Sequence, residues 1–306
     1  MSAPDLQKII LGSRGSELAR RQTSMVETAL RKAWPDFEVV THIISTRGDT
    51  RTAESLDPRS GRKGLFTGEI ERALAAGEID IAVHSAKDLP SEMTAGLGLG
   101  AVLPRSWVED VLIRKESGQA QGTIGTGSVR RQHQLRWQFP EVEVVDLRGN
   151  VPTRLRKFLQ SDWHAIVLAR AGLERLGFDL THDAFEFEGA SLRAETLSTD
   201  VFVPAGGQGI IALQVRSDDN DRKDIVGVVG HAETLSCLEA EREFLRLLQG
   251  DCGSPVGVLA AISGANLTVR AQVFEPPRVE PRTARVEGET SASKKLAREL
   301  WETING

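Results

Sequence analysis

The chain has 306 residues, of which 40% are hydrophobic and 26% charged, a size and balance that call for two or three soluble domains with separate cores. No apolar stretch approaches a membrane span and residues 1–10 lack the apolar centre of a secretory signal, so a cytoplasmic protein with no membrane partner is expected. A formal charge of −5 argues against a general nucleic-acid binder, and the two isolated cysteines, Cys237 and Cys252, do not form a disulfide framework.

The first half alternates strand and helix signals, the pattern of an α/β sheet covered by helices. Lys8 to Ser13 reads as a buried strand and Gly12 to Ser16 as the turn after it. The next helix carries a stripe of Leu18, Met25, Val26, Ala29 and Leu30 and stops before Pro35. Val39 to Ser45 is a second strand. The polar stretch from Thr46 to Lys63 has no periodicity and reads as a loop. Leu65 to Ala76 is helical, with Gly77 as its stop, and Ile79 to His84 is a strand ending in Ser85-Ala86-Lys87-Asp88.

A similar cycle begins near Thr123: a strand, a turn over Gly125 to Ser128, a helix from Val129 to Trp137, a strand from Val142 to Leu147 and a helix from Val151 to Gln160 with Pro152 in its first turn. The strand His164 to Leu168 and a helix from Ala171 follow. The glycine-rich segment Pro204 to Gly209 and the strand Ile210 to Val215 are expected to return the chain to the first domain. Ala232 to Gln249 is a long amphipathic helix with Leu235, Leu238, Leu245 and Leu248 inward. Strands at Val256 to Ile262, Leu267 to Phe274 and Arg282 to Val286, then a helix from Ala292 to Ile304, complete a small α+β unit.

Three strand-to-helix turns combine glycine, a hydroxyl or amide, and arginine: Gly12 to Ser16, Gly125 to Arg131 and Leu147 to Arg154. Helix N-termini at such turns attract anions, and guanidinium matches a carboxylate in bidentate fashion, so together they suit a ligand with several acidic groups. Between Ser128 and Lys157 seven basic residues face three acidic ones, which concentrates positive charge in an otherwise acidic chain. Asp88 beside Lys87 at a strand end is ordinarily an ion pair or cap. Facing an arginine-lined cleft, it becomes the group to stabilise a developing cation or hand over a proton. Cys252 follows a helix stop in a tight loop, where a thiol is within reach of a ligand, whereas Cys237 lies inside a helix and reads as packing.

These segments, in this order and spacing, resemble the porphobilinogen deaminase (hydroxymethylbilane synthase) family from about Ile10 to Gly257. The resemblance rests on Gly12 to Ala19, Thr46 to Asp49, Lys63 to Phe66, Ala82 to Pro90, Gly125 to Gln132, Leu147 to Asn150, Pro204 to Gly209 and the Cys252 loop. It implies two type II periplasmic-binding-protein-like α/β domains around a cleft and a small α+β C-terminal domain with a three-stranded antiparallel sheet. The expected boundaries are 1–104 with 203–226, 105–202, and 227–306. It further implies a monomeric transferase that condenses four porphobilinogen molecules head to tail, with loss of ammonia, on a dipyrromethane cofactor joined through a thioether to Cys252.

By the same resemblance Asp88 is the catalytic carboxylate. Lys87, Ser85, Thr126, Ser128, Arg130, Arg131, Arg148 and Arg154 hold the cofactor, and Arg14, Ser16, Arg148, Arg154, Lys63 and Gln208 serve the substrate. Two positions depart from the common pattern: Gly127, where serine is frequent, and Asp251, where glycine is frequent. A non-catalytic solute-binding protein on the same bilobal fold is the alternative. It would need the arginines but has no use for Cys252 or Asp88.

Overall fold

The computed structural model describes residues 8–46, 67–116, 122–249 and 254–306. The first run of elements is β1 (Lys8–Arg14), α1 (Glu17–Ala33), β2 (Glu38–Ile44), α2 (Gly68–Ala75), β3 (Ile81–Ser85), a single 3-10 turn over Ala86–Asp88, and β4 (Leu97–Val102). The second is β5 (Asp110–Lys115), β6 (Ile124–Gly125), α3 (Val129–Gln138), β7 (Val144–Val145), α4 (Val151–Gln160), β8 (Ala165–Ala169), α5 (Arg170–Arg175), β9 (Ala184–Phe187) and β10 (Ala190–Thr196). Then come β11 (Ile211–Arg216), α6 (Asn220–Gly227), α7 (Ala232–Leu247), β12 (Val256–Ser263), β13 (Asn266–Val273), β14 (Arg282–Glu289) and α8 (Ser293–Asn305).

The first sheet has the order β2-β1-β3-β11-β4, with β1 parallel to both β2 and β3 and β11 antiparallel to its neighbours. The second has the order β7-β6-β8-β5-β10-β9, and its strand β5 runs antiparallel to β8. The third is the antiparallel β12-β13-β14. These are two type II periplasmic-binding-protein-like lobes and an α+β unit. The chain crosses between the lobes twice, after β4 and before β11, and the crossings are bonded to each other by Ser106 N–H to the Gly209 carbonyl at 3.0 Å.

Each sheet is closed over an apolar core. Ile9, Leu11, Val26, Leu30, Ile81 and Ile225 pack in the first lobe, Val111, Leu155, Phe158, Ile166 and Leu192 in the second, and Phe244, Val258, Val269, Ala297 and Leu300 in the third unit. The inward face of α1 differs from the expected stripe. Met25 is 45% exposed, while Gln22 and Thr23 are buried with Val26 and Leu30. Both polar side chains have partners under the sheet edge: Thr23 Oγ1 donates to Ser13 Oγ at 2.7 Å, and Gln22 Nε2 donates to Ser85 Oγ at 2.9 Å. In α7 the buried set is Thr234, Cys237, Leu238, Ala240, Glu241 and Phe244, with the other three expected leucines packed at the edges, because this helix is covered on two sides. Cys237 is buried, and burial, then Glu241, pushes its thiol up to about 11, which fits inert packing.

Candidate active site

Parallel strands β1 and β3 end side by side, so Arg14 and Ser85 emerge at one sheet edge, the usual place for ligands in such sheets. Ser16 caps α1, its Oγ accepting the Ala19 N–H at 3.3 Å. Beyond Ser85 the 3-10 turn presents Lys87 and Asp88, anchored by Ala86 N–H to the Ile210 carbonyl at 3.0 Å. Arg14, Ser16, Gln22, His84, Ser85 and Asp88 line one cleft.

His84 lies beneath it, with Nε2 3.0 Å from Gln214 Oε1, while Gln214 Nε2 donates to Glu71 at 2.8 Å. The amide orientation makes His84 Nε2 the donor. Burial lowers its pKa to about 4, with Arg14 adding to the effect and the Gln214 bond opposing it. A histidine depressed in the folded state binds its proton less well than in the unfolded chain. Its contribution to stability is therefore complete above pH 6.5 and lost as pH falls toward 4. This one group is expected to cost about 2–3 kcal/mol between pH 7 and 4.5. Urea midpoints at those two pH values should converge in His84→Gln relative to the parent, and an unchanged gap would rule out His84 as the source.

The second lobe supplies most of the positive charge. Thr126 is fully buried and its Oγ1 accepts the Ser128 N–H at 3.4 Å, whereas Ser128, at the start of α3, makes no side-chain cap. A Cβ at Gly127 would lie 2.5 Å from the Leu147 carbonyl oxygen, so glycine at this turn follows from close backbone approach. Arg130 and Arg131 both reach the buried Asp110: Nη2 of Arg130 is 2.8 Å from Oδ2, and Nη2 of Arg131 is 2.7 Å from Oδ1. Burial alone would raise the Asp110 carboxyl, but the two guanidiniums hold it well below the usual carboxylate range.

Gln208 Nε2 donates to the same carboxylate at 2.8 Å and to the Val108 carbonyl at 2.7 Å. Arg130 also donates to Gln134 and to the Val203 carbonyl, which leaves it engaged within the protein. Arg148 pairs with Asp146 at 2.7 Å in an exposed position, and Arg154 Nε donates to the Gly149 carbonyl at 2.6 Å.

The two halves meet electrostatically. Burial lowers Lys87 to about 8; Asp88 and Asp110 oppose the shift, and Arg131 and Arg130 add to it. Arg154 falls to about 10 through burial, then through Arg131 and Arg148, with Asp146 and Asp88 opposing. Asp88 thus stands among cations from both lobes. Cys252 and Lys63 lie outside the described residues.

Three features of the site went unseen in the sequence. One is Asp110, a single carboxylate opening an apolar strand. Another is the buried pair of Arg105 and Glu241, 2.6 Å apart, whose members sit in separate units. The last is Arg175, which burial lowers to about 10 and whose Nη2 donates to the Gly209 carbonyl at 2.7 Å. Among the described residues no carboxylate is paired with Arg175. Arg175 closes α5, and no motif in the sequence marks it.

Comparison with known proteins gives a consistent result. The family model described as "Porphobilinogen deaminase, dipyromethane cofactor binding domain" matches residues 9–224, and "Porphobilinogen deaminase, C-terminal domain" matches residues 235–305. A porphobilinogen deaminase of Moorella thermoacetica is 39% identical over 303 residues, covering 96% of this chain and 93% of that protein. Those of Roseiflexus sp. and Trichlorobacter lovleyi are 41% identical over 272 residues (87% of this chain and 86% of that protein) and 37% identical over 302 residues (97% and 93%), respectively.

Proposed function

The chain belongs to the porphobilinogen deaminase family, and from that membership and the site geometry we propose Asp88 as the catalytic carboxylate, Cys252 as the cofactor attachment point, and the surrounding cations as the groups that hold acidic side chains. Its activity is that of hydroxymethylbilane synthase, a transferase of tetrapyrrole biosynthesis that uses porphobilinogen and a dipyrromethane cofactor. The observation that carries the site assignment is that Asp88 bears on the charge of both Lys87 and Arg154, which themselves adjoin Arg131 and, for Arg154, Arg148.

The residues fit a group rich in carboxylates. Nε of Arg131 and Nε of Arg175 are buried without a hydrogen-bond partner among the described residues, and the buried cations Lys87 and Arg154 would gain a compensating charge on meeting an anion. In this assignment Lys87, Ser85, Thr126, Ser128, Arg131, Arg148 and Arg154 hold the cofactor, with Arg130 and Gln208 fixing Arg131 through Asp110. Arg14, Ser16, Lys63 and Arg175 join Arg148 and Arg154 on the incoming pyrrole. When bound, dipyrromethane supplies the pyrrole carbon to which substrate is joined. The Asp88 carboxylate balances the positive charge that develops on the substrate pyrrole as ammonia leaves, while the arginines hold its acetate and propionate groups in line.

The same proposal divides the chain at 1–104 with 203–226, 105–202, and 227–306, following the three sheets. It also describes a cytoplasmic monomer acting on a small molecule, with no nucleic-acid or membrane partner; both sides of the cleft come from one copy and the formal charge is −5. Among the described residues no helix is long and apolar enough to cross a membrane. Intact-mass spectrometry of freshly purified protein tests the attachment. An adduct of dipyrromethane mass that maps to Cys252 is expected, and active protein with an unmodified Cys252 would refute the assignment.

A further inference from the structure

Leu238, Glu241, Arg242 and Leu245 share one face of α7 by their spacing of three and four. That face meets the turn bearing Asp88 at three points. Leu238, fully buried, packs in one cluster with Ala86 and Leu89, which flank Lys87 and Asp88, and with Ile210 of the returning crossing. Glu241 accepts the Gly207 N–H at 2.6 Å. Gly207, at φ 76°, lies so near the turn that a Cβ there would be 2.9 Å from the Ala86 carbonyl carbon and the Lys87 nitrogen. Arg242 Nη2 donates to the carbonyls of Pro90 at 2.8 Å and Ser91 at 3.1 Å. One turn further on, Arg246 has Glu92 among its charge neighbours. The helix ends at Leu247, five positions before Cys252 in the sequence.

We infer that Arg242 is a positioning residue for the reaction: it ties the backbone just past Asp88 to α7, the helix that precedes Cys252 in the sequence, and so holds the carboxylate's turn in place against the C-terminal unit. The inference rests on the assignment of Asp88 and Cys252 proposed above. Leu238 fixes how deep the turn sits, but apolar contact has no direction. Glu241 secures the crossing and not the residues after Asp88. Arg242 alone among the three supplies directional bonds to those residues, and it does so from a partly exposed position, where its replacement leaves the buried cores intact. Small displacements of a catalytic group are costly, about a hundredfold for 1 Å.

The test is Arg242→Gln, with Arg242→Lys as the conservative variant. Intact mass should show the same dipyrromethane adduct as the parent. In the loaded Gln variant kcat should fall by about tenfold or more while KM for porphobilinogen stays within about twofold, and Lys should restore part of the loss. A loaded Gln variant with parental kcat overturns this inference alone. Parallel loss of adduct and kcat also overturns it, by showing a structural role. An unmodified Cys252 in the active parent removes the premise and the inference together.

Discussion

Asp88→Ala is expected to lower porphobilinogen consumption by about 10²–10³-fold, equivalent to about 3–4 kcal/mol in the barrier, while the dipyrromethane adduct still forms on Cys252. The turn that carries Asp88 is held by backbone bonds and by Ala86 and Leu89 in the core, none of which involves its side chain, so the variant should fold. The loss arises from charge. Asp88 is the carboxylate that bears on both Lys87 beside it and Arg154 of the second lobe, and without it the developing pyrrole cation loses the negative charge that these two cations share. Asp88→Asn preserves shape but not charge, so its rate should lie close to that of the alanine variant. Consumption by the loaded alanine variant within about tenfold of the parent would dismiss Asp88 as the principal electrostatic group.

Asp110→Ala should instead act on stability. It leaves Arg130 and Arg131, both buried, without the carboxylate they share and frees the Gln208 amide that bonds it. Breaking a buried pair by removing one partner costs about 3–5 kcal/mol, here expressed as a melting temperature lower by on the order of 10 °C. Thermal denaturation followed by circular dichroism measures it. A drop of less than about 2 °C would mean that the two guanidiniums find other acceptors, and the account of this cluster as the brace for Arg131 would have to be abandoned.

The legibility of the fold followed the strength of local patterning. Helices α1, α4, α7 and α8 carry clear apolar stripes and stop signals, and their expected ranges agree with the structure to within a few residues. Strands β4, β5, β9 and β10 and helix α6 carry no expectation in the sequence reading. β4 contains Gly98 and Gly100, poor strand formers, and β9, at the sheet edge, and its neighbour β10 mix charged residues with apolar ones. The strand expected over Val142 to Leu147 reduces to the two residues of β7, because only Val144 and Val145 pair with β6.

At the site, glycine and arginine at strand ends were visible because those residue types mark anion-binding turns by themselves. Partnerships were not. Nothing in the sequence near Asp110 says that two arginines twenty positions on will close over it, and nothing near Glu241 announces Arg105, since such pairs exist only once separate elements have packed. Met25 shows the converse error: a residue apolar enough for the core was placed there by periodicity, while Gln22 and Thr23 took the buried positions because the sheet edge offered them partners.

The two chain crossings lie side by side and are bonded to one another, forming a narrow ribbon rather than a pair of separate threads. A ribbon flexes readily across its flat face and resists shear within its plane. Such a connection favours opening and closing of the cleft over sliding of one wall along the other.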